Sequence, residues 1–522
     1  MTRPALAALF LALAAAWFGT LGVRPLYKAD ESRYAEIPRE MVASGDWITP
    51  RLNGFKYFEK PPLQYWGTAV FFELLGERDW VSRLWTALAG FAGILLACFA
   101  GNRLFRPPAG LLAATVLAGC PLYVLLAQVN TLDMGLTFFL SAAIFALALG
   151  RPLLFWAACA AAVLSKGLIG IVLPLVTVGL YVLLRRDWAL LAKMRIGSGG
   201  ALFLALAAPW FIAVSLANAE FAHFFFVQEH FQRFTTTLHG RDQPAWYFVP
   251  VLAVGAAPWL LAVFPALKTA LQGKTAAGFD ARLLFALWAL VVFLFFSASG
   301  SKLPSYILPL FPPLAVLIGS WLASAGAPRL VAVQAALAVV AGLAAAGFAP
   351  DLLGSYPDYL PWVIGAAAAV VVLGAAAFAF ASRGAPFPAV AALALCGFVA
   401  TQLALIGHRS LAPLFSAAGL IARAAPEPPA GARVFALDAY DHSLPWYLRR
   451  TVTLVGYKDE LAQAVQWEAH KFIPDAAGFA RAWNAERTAY AVVPVRDYER
   501  LRSELPMTLV SRDPRYVFVR KP

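Results

Sequence analysis

Ionisable side chains are scarce in this chain, and they gather where chemistry is possible. Charged residues make up 14% of the 522. Even so, the run "YKADESRYAEIPREMVASGDW" (27–47) holds Lys28, Asp30, Glu31, Arg33, Glu36, Arg39, Glu40 and Asp46. Further on, "NGFKYFEKPPLQYW" sets Glu59 and Lys60 before a double proline that stiffens the turn. Asp133 follows in "NTLDMG" and Lys166 in "LSKGL". Glu229, His230, Arg233, His239 and Arg241 crowd one later stretch, and Lys302 stands in "SGSKLPSYILP". Acids, bases and histidines from separate connections can build one pocket, open to an external face and to lipid, that stabilises or relays charge.

Each residue taken singly has a plainer alternative. Lys166, Lys302 and Arg233 also fit snorkelling anchors at the ends of membrane helices. Asp133, at the very end of a span, also fits a helix N-cap. His230 and His239 fit ordinary loop histidines. Carboxylates are harder to dismiss, since an Asp at a span centre costs about 2.5–3.5 kcal/mol. The collective pattern is the stronger signal.

The elements that must position these residues follow from composition. The chain is 61% hydrophobic, with a mean hydropathy of +0.69, and apolar runs of membrane-spanning length recur along most of it. It reads as a polytopic membrane protein whose spans are helices, because bare backbone is too costly in lipid. About thirteen spans are expected, near 4–22, 81–102, 109–128, 132–150, 152–165, 168–184, 199–217, 246–266, 283–299, 303–323, 329–349, 362–382 and 386–407. The first resembles a signal peptide but lacks a convincing cleavage site, so it reads as an uncleaved helix. Cys98, Cys120, Cys159 and Cys396 lie in apolar runs without CxxC spacing and read as small packing residues. The net charge of +13 is explained by basic cytoplasmic loops, and no nucleic-acid partner is expected.

Orientation comes from Lys and Arg. With the N-terminus cytoplasmic, Arg103, Arg106, Arg151, the Arg185–Arg195 stretch, Lys268, Lys274, Arg282, Arg329 and Arg383 all fall on the cytoplasmic side. Residues 23–80, 218–245 and 410–522 then lie outside. The charged run becomes an amphipathic helix on the membrane surface, with a second interfacial helix at 63–76. Beyond the linker "APEPPAGAR", the segments "RVFAL", "TVTLVG", "YAVVPV" and "RYVFVR" read as short strands with helices between them. The expected division is a transmembrane domain over 1–424 and a small soluble α/β domain over 425–522.

"DESRYAEIPREMVASGDWITPRLNGFKYFEKPPLQYW" closely resembles the first periplasmic loop of bacterial 4-amino-4-deoxy-L-arabinose lipid A transferases. These are GT-C enzymes related to protein O-mannosyltransferases. "TLDMGLTFF", "SKGLIGIVLP", "EHFQRF" and "SKLPSYILPLFPPLA" match later landmarks in order, and "YDHSLPWYLRRTVTLV" resembles the C-terminal periplasmic domain. The resemblance implies a multi-pass enzyme of the bacterial inner membrane whose active site and C-terminal domain face the periplasm. It would move aminoarabinose from undecaprenyl phosphate to lipid A, a lipopolysaccharide modification that confers resistance to polymyxin. It further implies Asp30 at the catalytic centre with Asp133 as a second carboxylate. Lys60, Arg33 and Lys302 would act on the donor phosphate, and Tyr57 and Tyr306 would be lipid- or substrate-facing aromatics. Glu59 and His239 would be metal ligands in some relatives; two ligands do not specify zinc, which takes three or four. Two alternatives stand beside this reading. One is a related enzyme moving another sugar, or using another glycan, lipid or protein as acceptor. The other is a transporter, although transporters place their ionisable groups near the midplane.

Overall fold

The computed structural model describes residues 3–232, 243–272, 278–425 and 427–522. Every apolar segment expected from the sequence falls on a helix or on a bent pair of helices. Among the described residues, seven helices are long and apolar enough to cross a membrane, or nine if each bent pair is one span. Four further apolar helices, Ala7–Phe18, Leu132–Ala148, Pro152–Lys166 and Ile169–Arg185, have only 10–17 residues. By length and composition, then, the count of thirteen is not reached, but the chain is a multi-pass membrane protein. Both bends have a proline beside them. Ala109–Ala118 and Pro121–Ala127 meet at 70°, and Phe248–Gly255 and Leu260–Gln272 meet at 105° beside Pro258, where the missing N–H and the ring interrupt helical bonding.

Contacts divide the chain into two compact units. One comprises 1–20, 59–64 and 83–407; the other comprises 21–58, 65–82 and 408–522. In the first unit the helices pack closely through small residues. Phe311–Ala325 lies against Ala109–Ala118, and a Cβ on Gly319 would meet Ala113 N at 2.5 Å. The four cysteines are free, and Cys120, Cys159 and Cys396 are buried.

The second unit joins the long loop after the first helix to the C-terminal chain. Its six-stranded sheet runs in the order Phe472–Ile473, Thr453–Val455, Arg433–Leu437, Ala489–Pro494, Tyr516–Arg520, Thr508–Arg512. The first four strands are mutually parallel and the last two pair antiparallel. "AYAVVP" is apolar at every position because both faces are covered, as in a buried parallel sheet. Phe479 and Trp483, four apart on Ala476–Ala485, enter the core beside Phe435, Ala491 and Val517. Asp475 caps that helix by accepting from Gly478 N–H at 2.6 Å.

The loop segment begins with Asp30–Ser44, stopped by Gly45 at φ 71°, whose N–H returns to the Met41 carbonyl. The helix forms where it is expected, but its charged side chains are covered by protein. Every residue from Glu31 to Met41 is buried, so no charged face is left to water. Buried charge is tolerable only when paired, and here the pairs are present. Arg24 grips Glu31 at 2.5 Å, Arg39 grips Glu36 at 2.6 Å, and Arg33 grips Glu460. Leu26, Ala35, Phe72, Val81 and Trp446 supply the apolar contact. A two-residue turn follows, with Asn53 at φ 53° and Gly54 at φ 79° between Arg51–Leu52 and Phe55–Lys56. This is the primed geometry that Asn-Gly favours. The second loop helix is Leu63–Leu75, close to the expected 63–76.

Candidate active site

In the second unit the functional group is built on the first turn of Asp30–Ser44. Asp30 is its most open member, with a side chain 48% exposed. Its Oδ1 accepts from Arg33 NH1 at 3.1 Å, as the i, i+3 spacing on a helix allows. Arg33 is buried, and it turns its Nε (3.2 Å) and NH2 toward the two oxygens of Glu460. Tyr34 and Tyr57 lie under the guanidinium, with ring centroids 5.7 and 5.9 Å away. Burial pushes the Glu460 carboxyl up, but the charges of Arg33 and His442, with hydrogen bonds from both, hold it at about 2. The result is one accessible carboxylate, Asp30, whose orientation is fixed by a covered cation.

One turn along, Arg39 closes a two-bond fork on Glu36 at 2.6 and 2.7 Å. Glu40 Oε2 accepts from Gly54 N–H at 2.8 Å, while its buried Oε1 has no hydrogen-bond partner among the described residues. Burial first, then the neighbouring Glu36 carboxylate, push Glu40 up to about 8, against the Gly54 N–H and the charge of Arg39.

In the first unit, the Lys60 ammonium donates to the Glu59 carbonyl at 2.8 Å and to Glu229 Oε2 at 3.2 Å, with Glu59 Oε2 at 4.0 Å. Glu229 lies on the π-helix His223–Gln232. Lys60 is thus a cation held by carboxylates. Asp133 pairs with Lys166, whose ammonium sits 4.7 Å from the ring centroid of Tyr306. Asp133 is therefore not the N-cap of its helix; Thr131 stands there. Lys302 does not snorkel. It is buried, and it donates to the carbonyls of Ser299 (2.6 Å) and Gln243 (2.9 Å), closing the end of Ala281–Ala298. Two of its three N–H groups thus go to backbone carbonyls.

Arg233, His239 and Arg241 lie outside the described residues, as does the side chain of His230. The expected metal pair of Glu59 and His239 therefore has one described member. Among the described residues no three His, Cys, Asp or Glu side chains are grouped to hold a metal ion. Sequence reasoning missed Glu460 and His442 as members of the Asp30 group. Glu460 stands 427 positions from Arg33 and 18 from His442, so no local spacing connects either of them to the loop helix.

Sequence and fold find their counterparts among known proteins. Residues 59–212 match the dolichyl-phosphate-mannose-protein mannosyltransferase family, and residues 420–521 match the aminoarabinose transferase C-terminal domain. The class is thus a multi-pass membrane protein built like the mannosyltransferases. The crystal structure of ArnT from Cupriavidus metallidurans bound to undecaprenyl phosphate superposes with a TM-score of 0.94 at 34% identity, covering 99% of this chain and 98% of that one. The undecaprenyl phosphate-α-4-amino-4-deoxy-L-arabinose arabinosyl transferase of Erwinia tasmaniensis is 33% identical over 69% of this chain and 67% of its own length. That of Aeromonas hydrophila is 35% identical over 58% of this chain, an alignment that spans only 56% of the relative. The chain belongs to the aminoarabinose transferase family.

Proposed function

We propose that this chain moves 4-amino-4-deoxy-L-arabinose from undecaprenyl phosphate to a phosphate of lipid A, at the periplasmic face of a bacterial inner membrane. The observation that carries this is the agreement over 98% of a relative whose structure holds undecaprenyl phosphate. The basic cytoplasmic loops read from the sequence support the orientation.

In the transfer, an acceptor phosphate oxygen forms a bond to the anomeric carbon as the bond from that carbon to the donor phosphate breaks. The electron pair leaves on the donor oxygen, so undecaprenyl phosphate gains a negative charge while positive charge develops on the sugar. Groups preorganised against those two charges contribute most. Lys60, already held among Glu59 and Glu229, neutralises the departing phosphate. Asp30, oriented by Arg33, faces the developing cation. An ionised phosphate acceptor needs no general base, which leaves Asp30 free for that electrostatic role. Asp133, with its Lys166 partner, is a second carboxylate for the same reaction.

Mass spectrometry of lipid A from a host lacking its own transferase, with and without this gene, is the test. Aminoarabinose on lipid A phosphates only when the gene is present is the expected result. Unmodified lipid A beside a different glycosylated product would move the assignment to another acceptor.

A further inference from the structure

We propose that Glu460 and His442, both in the C-terminal chain, are positioning residues for the transfer: they fix Arg33, and through it the carboxylate of Asp30. This rests on the catalytic reading of Asp30 and Arg33 given above. The geometry is a single chain of polar contacts. His442 Nε2 meets Glu460 Oε1, Glu460 closes on Arg33 through both its oxygens, and Arg33 NH1 reaches Asp30 Oδ1 at 3.1 Å. Glu460 is held ionised, so it can only accept, and the proton between it and His442 resides on Nε2. With Nε and NH2 both directed to Glu460, the guanidinium plane is set, and the direction of NH1 follows from it.

His442 is itself aimed by its neighbours in "YDHSLPWYL". Asp441 Oδ1 accepts from Ser443 N at 2.9 Å and from Ser443 Oγ at 2.6 Å, and its other oxygen pairs with Arg515. Downstream, Trp446 Nε1 and Tyr447 Oη donate to Asp79 at 2.8 and 2.9 Å, and Tyr447 Oη accepts from Leu26 N at 2.7 Å. This stretch therefore holds the loop segment on both sides of Asp30 while it directs one imidazole at the Arg33 partner. A purely stabilising ion pair would have no reason to end on the exposed carboxylate. Glu468 provides the comparison. It binds Arg51 (3.1 Å), Lys471 (2.7 Å) and Lys56 N (2.9 Å) in the same unit without touching Asp30 or Arg33.

The test is steady-state transfer by the purified full chain, with undecaprenyl-phosphate aminoarabinose as donor and lipid A as acceptor. Glu460→Gln is expected to lower kcat about tenfold to hundredfold, the range for a lost charge-assisted contact. The donor KM should stay within about twofold. Glu468→Gln should keep kcat while losing comparable thermal stability. In an Arg33→Gln background, Glu460→Gln should cost no further activity, because its effect runs through that side chain. If Glu460→Gln does not fold, Glu460→Asp and His442→Asn carry the same cycle. An unchanged kcat in a folded variant, or losses that multiply in the double variant, would overturn the proposal. If Asp30→Asn and Arg33→Gln themselves turn over normally, the catalytic reading falls first and this one falls with it.

Discussion

Replacing Glu40 by Gln isolates the effect of one buried carboxyl on the stability of the unit that carries Asp30. The carboxyl is raised from 4.5 to about 8 by burial and by Glu36, so the folded state prefers it protonated while the unfolded chain ionises it near 4.5. Between those values the native state binds more protons, and stability falls as pH rises. One proton's difference between the two states is worth about 1.4 kcal/mol for each pH step of one, so raising the pH from 5 to 7 removes about 2–3 kcal/mol. Gln mimics the protonated form: its amide oxygen still accepts from Gly54 N–H, and no charge can appear. The advantage of Glu40→Gln over the parent should therefore be small at pH 5 and grow toward pH 8. For a cooperative unit of roughly 150–250 residues, a change of that size corresponds to about 5–10 °C in Tm. Thermal unfolding of both proteins in the same detergent at pH 5, 6, 7 and 8 measures the difference directly. A Tm gap that is flat across this range, or that narrows with rising pH, would refute the reasoning, since Glu40 would then be ionised and compensated in the native state.

The other predictions concern the site and its support. Asp30→Asn should abolish transfer while leaving the protein folded, because the side chain is half open and only its charge is lost; near-normal turnover of the purified variant would remove Asp30 from the mechanism. Lys60→Ala should weaken undecaprenyl phosphate binding about tenfold to hundredfold, read as carrier-lipid affinity, and Lys60→Arg should restore it incompletely because a planar fork replaces a point charge. Unchanged affinity in Lys60→Ala would make this residue an anchor. Asn53→Ala should destabilise the second unit by about 2 kcal/mol, since Asn53 exchanges hydrogen bonds with the Val452 carbonyl (2.9 Å) and N–H (2.7 Å) at a positive φ. Denaturant unfolding followed by tryptophan fluorescence would show it, and equal midpoints would argue against it.

What the sequence revealed and what it hid have a common physical origin. Apolar runs identify membrane helices because lipid imposes one requirement everywhere, and each expected run falls on a helix or a bent pair of helices. The count falls short where Pro121 and Pro258 bend a run that hydropathy averages through, and where four apolar helices have only 10–17 residues. "RVFAL" is a strand at its full extent, Arg433–Leu437, because a buried parallel strand is apolar throughout. Thr508–Arg512, mostly exposed at the sheet edge, lacks that signature and escaped notice. The Asn-Gly turn at 53–54 was readable from local rules alone but was not used. The burial of Glu36 and Arg39 was not readable, because charged residues at helical spacing look the same facing water or facing partners. Their covering chain lies hundreds of positions away. Arg33 was picked out by resemblance, whereas Glu460, which holds it, belongs to a stretch with no catalytic pattern of its own.

The hydrogen bond from Trp446 to Asp79 joins residues 367 positions apart, and that distance is also a delay. At about 5–20 residues per second, the ribosome needs roughly 20–70 s to travel between the two. Throughout that interval the Asp30–Ser44 segment exists without His442, Glu460 or Trp446 to fold against. A segment that must wait in water beside a bilayer needs to resist both insertion and aggregation. The density of Lys, Arg, Asp and Glu between 27 and 47 gives it that resistance, and once the last chain arrives the same side chains become its buried ion pairs.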